Sequence, residues 1–380
     1  MITEAARQYI RLHLACDVGP IRLRRLLQYF GTIEKVLSAS SAELQRVEGV
    51  GPIVAKSIQD ARNSPKAETE IVKAEAAGVR IVCQTDIDYP KALLNMPDAP
   101  ICLYFRGDFS QTDTISVAIV GTRKCSHYGR EQAIRFSQLL ARAGFTIVSG
   151  LARGIDGCAH RGALEAGGRT IAVLGNGLSH IYPPEHKAMA DEIAKRGTVI
   201  SEVPMDCGPE SKNFPGRNRL IAGLTLGTLV VEAGERSGAL ITARLASEYN
   251  REVFAVPGRL DDPDRSVGVN ALIRDGGAKL VTCLEDILSE LGEVAQKLDE
   301  PPDNKPPSLI GESAVNAKEL PTIEQLVYRS VENGLEEIDA LGIATGLDAG
   351  RVSTVLTSLE LKGLVRRLPG NRFSKRLSMR

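Results

Sequence analysis

The 380-residue sequence contains no tryptophan, and aromatic residues make up only 4% of it. A broad stacking platform for single-stranded nucleic acid, built from many aromatic side chains, is therefore excluded. No run of 18 apolar residues occurs, so no membrane span is expected. The first dozen residues carry Glu4 and lack the apolar centre of a secretory signal. Charge of one sign is not in excess either: Lys+Arg and Asp+Glu each total 47. That excludes a uniformly basic nucleic-acid binder but leaves room for a local basic cleft. The seven cysteines, at 16, 83, 102, 125, 158, 207 and 283, are scattered and never spaced C-x-x-C. They read as small buried apolar residues of a cytoplasmic protein, not as a disulfide framework or a zinc site. No G-x-x-x-x-G-K-[ST] loop is present, and His13, His127, His160, His180 and His186 lack metal-ligand spacing with carboxylates. No catalytic residue, cofactor or metal is expected.

The rest is an ordinary globular composition, 43% apolar and 25% charged, long enough for two or three domains. Residues 1–64 read as short helices. Val47-Glu48-Gly49-Val50-Gly51-Pro52 resembles a helix-hairpin-helix turn, whose backbone N–H groups can seat a phosphate. The alternative is a tight connection in which glycine supplies a positive φ. Nine Lys/Arg against six Asp/Glu in this stretch is a mild excess that does not decide between them. Residues 65–110 form a connector packing on the core, with Ile101–Phe105 as a short strand candidate. From 111 to 292, β-branched runs alternate with helical periods. The runs are 116–120, 146–149, 170–174, 198–201, 228–232, 252–256 and 279–282. This alternation predicts a parallel sheet with helices on both faces, which binds ligands beyond the carboxyl ends of its strands. Residues 293–318 are a proline-rich linker. Residues 319–380 show three helices and a hairpin, the pattern of a winged helix.

The unusual residues collect at the expected strand ends. Gly121-Thr122-Arg123 ends the first strand, and Ser149-Gly150-Leu151-Ala152-Arg153-Gly154-Ile155-Asp156 ends the second. Lys212, Phe214, Arg217, Asn218 and Arg219 open the helix after the fourth, and Ser237-Gly238 follows the fifth. Small residues and free N–H groups at helix N-termini suit phosphates, and arginine adds bidentate donors. Lys124 lies in the same loops. Phe214 is the one aromatic among these cations and is placed to stack on a base. Asp156 is expected to cap the helix that carries His160, a satisfied helix-face histidine. Leu174-Gly175-Asn176-Gly177 begins like a dinucleotide fingerprint but lacks its third glycine.

Together with Phe214-Pro215-Gly216-Arg217-Asn218-Arg219, Ser237-Gly238-Ala239 and Val256-Pro257-Gly258, these loops resemble the DNA-processing protein A family, DprA or Smf. The resemblance implies an α/β fold, with an extended Rossmann-like sheet between an N-terminal helical domain of helix-hairpin-helix or SAM-like type and a C-terminal winged helix. It implies a homodimer formed through that core, which binds single-stranded DNA and loads RecA onto it during natural transformation. The family's DNA pocket maps onto Gly121, Thr122, Arg123, Ser149, Gly150 and Gly154. Lys212, Phe214, Arg217 and Arg219 resemble its second contact surface. The family usually has Ser where this chain has Thr122, and the hydroxyl is kept.

Two other readings compete. One is a Rossmann-type nucleotide hydrolase, for which Glu232-Ala233-Gly234-Glu235 offers a glutamate but the Pro-Gly-Gly-x-Gly-Thr loop is missing. The other is a small-nucleotide sensor signalling through the winged helix. Residues 321–362 carry seven acids against three Lys/Arg, whereas 363–380 carry six Lys/Arg and no acid. The wing and tail could supply the cations for phosphate contact, whereas the acidic helical face could not read bases, and a protein-partner surface is the alternative for this module.

Overall fold

A computed structural model describes residues 2–15, 17–291, 322–332, 335, 337–348, 351–353, 355, 356, 359, 365–368 and 372–375. The chain divides into two compact units, Met1–Glu300 and Pro301–Arg380.

The first unit begins with six helices: α1 (Glu4–His13), α2 (Pro20–Phe30), α3 (Ile33–Ser38), α4 (Ser41–Leu44), α5 (Pro52–Ala61) and α6 (Lys66–Ala76). Proline at the first position starts both α2 and α5, where its missing N–H costs nothing. Gly49 takes the positive φ of +84° that the hairpin turn requires. The Arg22 guanidinium ties the two turns together by donating to Asp17 O (2.6 Å) and Gly49 O (2.9 Å).

Residues expected as a connector enter the sheet itself as β1 (Arg80–Cys83) and β2 (Cys102–Gly107), joined through α7 (Lys91–Leu94). The alternating pattern then follows: β3 (Ser116–Val120), α8 (His127–Arg142), β4 (Thr146–Ser149), α9 (Ile155–Glu165), β5 (Thr170–Leu174) and α10 (Lys187–Arg196). It continues with β6 (Thr198–Ser201), α11 (Asn213–Leu224), β7 (Gly227–Val230), α12 (Gly238–Glu248), β8 (Glu252–Ala255), α13 (Pro263–Arg274), β9 (Lys279–Leu280) and α14 (Leu284–Leu291). The nine strands lie in the order β1-β2-β6-β5-β4-β3-β7-β8-β9. The seven from β6 to β9 in that row are parallel, and β1 and β2 extend the row antiparallel. The order reverses at β3, which pairs with β4 on one side and β7 on the other. A crevice opens beyond the carboxyl ends of strands at such a switch point.

Three apolar layers hold this unit. Phe136 and Leu140 of α8 pack with Ala159 of α9 under β3, β4 and β7. Leu220 of α11 and Ala243 of α12 cover other positions of the same sheet. The helices of the first 76 residues share a third core with β1, β2, Ala172 and Leu174, so the helical segment is built onto the sheet. Among the described residues no helix is long and apolar enough to cross a membrane.

The second unit contains α15 (Thr322–Glu332), α16 (Ile338–Thr345) and an antiparallel hairpin of β10 (Val365–Leu368) and β11 (Arg372–Lys375). Val327, Leu341, Leu356, Val365 and Phe373 form its core. The third helix, expected over 349–362, lies partly outside the described residues, and the linker expected over 293–318 lies wholly outside them.

Candidate nucleic-acid interface

The cleft at the β3–β7 switch point is an open cavity of about 900 Å³. Its walls are the end of β3, the first turns of α11, the segment leading into α12, and Tyr182. Each wall exists for a local reason. Ser126 caps α8 by accepting Gly129 N–H (3.0 Å), and this turns the chain at the end of the β3 loop. Ser237 caps α12 by accepting Ala239 N–H (3.4 Å). Thr122 donates its N–H to Glu232 O (2.8 Å), and its hydroxyl accepts Lys124 N–H (3.3 Å), so the β3 loop is tightly folded. Gly154 has a φ of +76°, and a Cβ there would lie 2.3 Å from Thr122 O. Only glycine lets the β4 loop close against the β3 loop.

Nine of the loop residues singled out from sequence line the cleft: Gly121, Thr122, Arg123, Lys124, Phe214, Arg217, Asn218, Ser237 and Gly238. Ser149, Gly150, Arg153, Gly154, Lys212 and Arg219 do not. Arg123 is exposed, and its guanidinium lies 5.2 Å from the centre of the half-buried Phe214 ring. Tyr182 approaches the same ring at 6.0 Å between centroids. Asn213 and Pro215 are not loop residues: both belong to the first turn of α11, where proline is tolerated.

Arg217 and Arg219 differ from the cations expected of a contact surface. Arg217 is 6% exposed and donates to Gly150 O and Val173 O and, through Nε, to Asn218 Oδ1 (3.1 Å). Its guanidinium fills the space beside Gly150, where a Cβ would lie 2.3 Å from Nη1. Burial pulls its pKa down to about 10, with the Asp156 carboxylate acting in the opposite sense. Arg219 turns away from the cleft to Glu202 and to Asp98 O (2.7 Å). Arg153 is ion-paired with Glu185, and Lys212 with Glu210 (2.7 Å).

Asp156 does not cap α9. Gly154 holds that position, and the buried Asp156 carboxylate accepts Gly150 N–H (3.1 Å) instead. Burial raises its pKa, with Arg217 opposing. His160 is wholly buried and satisfied: Nε2 accepts Leu151 N–H (3.3 Å) and Nδ1 meets the Thr170 hydroxyl (2.7 Å). Since Thr170 donates its proton to Ile147 O, the imidazole is neutral with the hydrogen on Nδ1. Burial lowers its pKa to about 3. The glycine-rich segment after β5 is closed on itself: Asn176 is buried and donates to His180 O. Glu232 accepts from the Ser126 N–H (2.9 Å) and hydroxyl, so its carboxylate is part of the scaffold.

The cleft also contains residues that sequence reasoning did not single out. Arg236 and Arg265 line it, as does Tyr182. Arg236 lies between Glu235 and Ser237 in the loop after the fifth strand of the alternating pattern, and its charge there is the signal that sequence offers. Arg265 comes from α13, pairs with Asp262 (2.7 Å) and props the β3 loop by donating to Lys124 O (2.7 Å). Among the described residues Arg123, Lys124 and Arg236 are exposed and carry no ion pair. The cleft therefore presents three exposed cations without an ion pair and two half-buried rings, Phe214 and Tyr182, together with the exposed carboxylates of Glu235 and Asp264.

Comparison with known proteins agrees with this architecture. The family model described as DNA recombination-mediator protein A matches residues 80–292. A DprA winged helix domain matches 312–371, and a helix-hairpin-helix motif matches 16–71. Protein Smf of Synechocystis sp. is 35% identical over 94% of this chain and 96% of its own length. The X-ray structure of DNA processing protein A from Streptococcus pneumoniae is 34% identical, with a TM-score of 0.66 over 76% of this chain and 98% of that one. DNA processing protein A from Helicobacter pylori, described by its single-stranded DNA binding mode, is 33% identical. Its TM-score is 0.50 over 56% of this chain and 96% of that one.

Proposed function

Because the chain belongs to the DNA recombination-mediator protein A family, also called DprA or Smf, we propose that it binds single-stranded DNA in the cleft at the β3–β7 switch point. The observation that carries this reading is the grouping of Arg123, Lys124 and Arg236, unpaired among the described residues, around the accessible Phe214 ring. Cations spaced along an open cleft suit successive phosphates of a polymer, and an aromatic ring stacks on any base without reading it. Gly121, Thr122, Ser237 and Gly238 shape the backbone that the strand approaches. Ser149, Gly150 and Gly154 act one step behind, by fixing the loops. The finer reading is that a homodimer formed through the sheet core loads RecA onto the strand during natural transformation, in the cytoplasm and without catalysis, metal or cofactor. It is supported by the family resemblance.

The hydrolase alternative would have to rely on Glu235 in the cleft wall, since Glu232 is held by Ser126 inside the scaffold. Titration of fluorescent dT oligomers of increasing length, alongside AMP and NAD, tests the proposal. Affinity that grows with length is expected. Binding of AMP or NAD with no gain from length would replace the polymer site with a small-nucleotide site.

A further inference from the structure

The two sides of the cleft differ in the state of their cations. On one side Arg123, Lys124 and Arg236 stand without carboxylate partners among the described residues. On the other, Arg153 is bonded through Nε to Glu185, and Lys212 Nζ lies 2.7 Å from the Glu210 carboxylate. These two pairs border the cleft without lining it. Ala152 precedes Arg153, Tyr182 stands three residues before Glu185, and Pro209 and Ser211 bracket Glu210; all four of those neighbours are in the wall.

We propose that Glu185 and Glu210 are guards of this rim: each occupies a cation that a DNA phosphate would otherwise take. The proposal rests on the reading of the cleft as a single-stranded DNA site and adds what limits its grip. Exposure separates these pairs from scaffold pairs. The side chains of Arg153 and Glu185 are 55% and 50% exposed, and those of Lys212 and Glu210 are 79% and 49% exposed. Arg219 and Glu202, by contrast, are 11% and 19% exposed. A solvated ion pair holds weakly, so its carboxylate can be displaced. A phosphodiester offers the same anionic oxygens to the same donors. Each guard therefore adds a competition step on its own rim and leaves the opposite rim untouched. It also repels the polyanion, so removing the carboxylate strengthens binding. With the guards in place three cations meet phosphate, and without them five do.

The test uses the full chain, E185Q, E210Q and the double variant, with labelled dT oligomers over a range of salt. Each substitution should tighten binding by roughly two- to fivefold, the scale of one exposed ion pair. The slope of log affinity against log salt should steepen from about −2 to about −3.5 in the double variant, at about −0.7 per phosphate. E185A and E210A, which cannot hydrogen-bond the freed cations, should gain at least as much. R153A combined with E185Q should lose the gain of E185Q. If the unmodified chain binds in a length-dependent way but the double variant keeps its affinity and slope, the guards are ordinary surface pairs and the proposal is overturned. If the unmodified chain shows no length-dependent binding, the single-stranded DNA reading falls and the guards with it.

Discussion

Arg123 at the mouth of the cleft and Arg217 at its floor reach the same ring, 5.2 and 5.9 Å from the centre of Phe214, yet they are committed differently. Arg217 is buried, and its Nε and Nη1 donors are taken by Asn218, Gly150 O and Val173 O. Arg123 is exposed and unpaired among the described residues. A cation whose hydrogens already satisfy buried carbonyls cannot release them to a phosphate without leaving those acceptors unsatisfied. The floor arginines hold the loops in place; the mouth arginine is free to meet a ligand.

The largest effect is expected at the two buried arginines, Arg217 at the floor and Arg219 behind the cleft. Arg217→Ala leaves the buried Gly150 and Val173 carbonyls without their donor and removes the charge that opposes the burial penalty of Asp156, and Arg219→Ala, outside the cleft, strands Glu202. Loss of Arg219 should cost about 3–5 kcal/mol of stability, the usual penalty for breaking one side of a buried pair, and loss of Arg217 about 2–5 kcal/mol, for two buried carbonyls left without a donor. Arg217→Lys should rescue little, since lysine lacks the planar fork. Thermal melting checks this. An unchanged melting temperature with lost DNA affinity would erase the distinction between floor and mouth.

At the mouth the order reverses. Arg123→Ala should weaken dT-oligomer binding by about 1.5–3 kcal/mol, the worth of a charge-assisted bond, and leave the melting temperature unchanged. Fluorescence anisotropy and melting on the same sample separate the two outcomes.

The interior should also respond to acid, at His160 beneath the cleft and at His13 in the N-terminal helical segment. His160 has a folded pKa of about 3, below its ordinary 6.5, and His13 is lowered by burial to about 4. A depressed histidine favours the folded state fully above pH 6.5, and this contribution is lost as pH falls through the window toward 3 or 4. Between pH 6.5 and 5 each imidazole should remove about 2 kcal/mol of stability. Asp156, raised by burial, acts in the opposite sense toward the acid end. Urea unfolding at pH 7.5 and 5.0 measures the sum, and a flat stability would contradict the neutral buried imidazoles.

The smallest effect belongs to Phe214. Part of its ring is already covered by Arg123 and Tyr182, so Phe214→Ala should weaken binding by about 1 kcal/mol, at the low end of base stacking. Phe214→Tyr should be close to neutral. A large loss of melting temperature with intact affinity would move Phe214 from the mouth to the floor.

The sequence made the alternation of the core readable because runs such as 116–120 and 170–174 are β-branched and bounded by turns. It did not reveal β1, four residues long with no alternating face and paired only through the distant β2. The glycine loops were legible as a site because their composition is unusual. The roles of the arginines were not, because they depend on partners remote in the chain: Asp98 and Glu202 for Arg219, Gly150 and Val173 for Arg217. Arg265 was silent for the same reason, arriving at the β3 loop from α13.

The central claim is that three unpaired cations at the mouth hold the backbone of a single strand. Its most direct test is the salt dependence of dT-oligomer affinity in the unmodified chain and in Arg123→Ala. Three phosphate contacts predict a slope of about −2, and loss of one contact predicts about −1.4. Slopes near zero, or equal in the two proteins, would contradict the account.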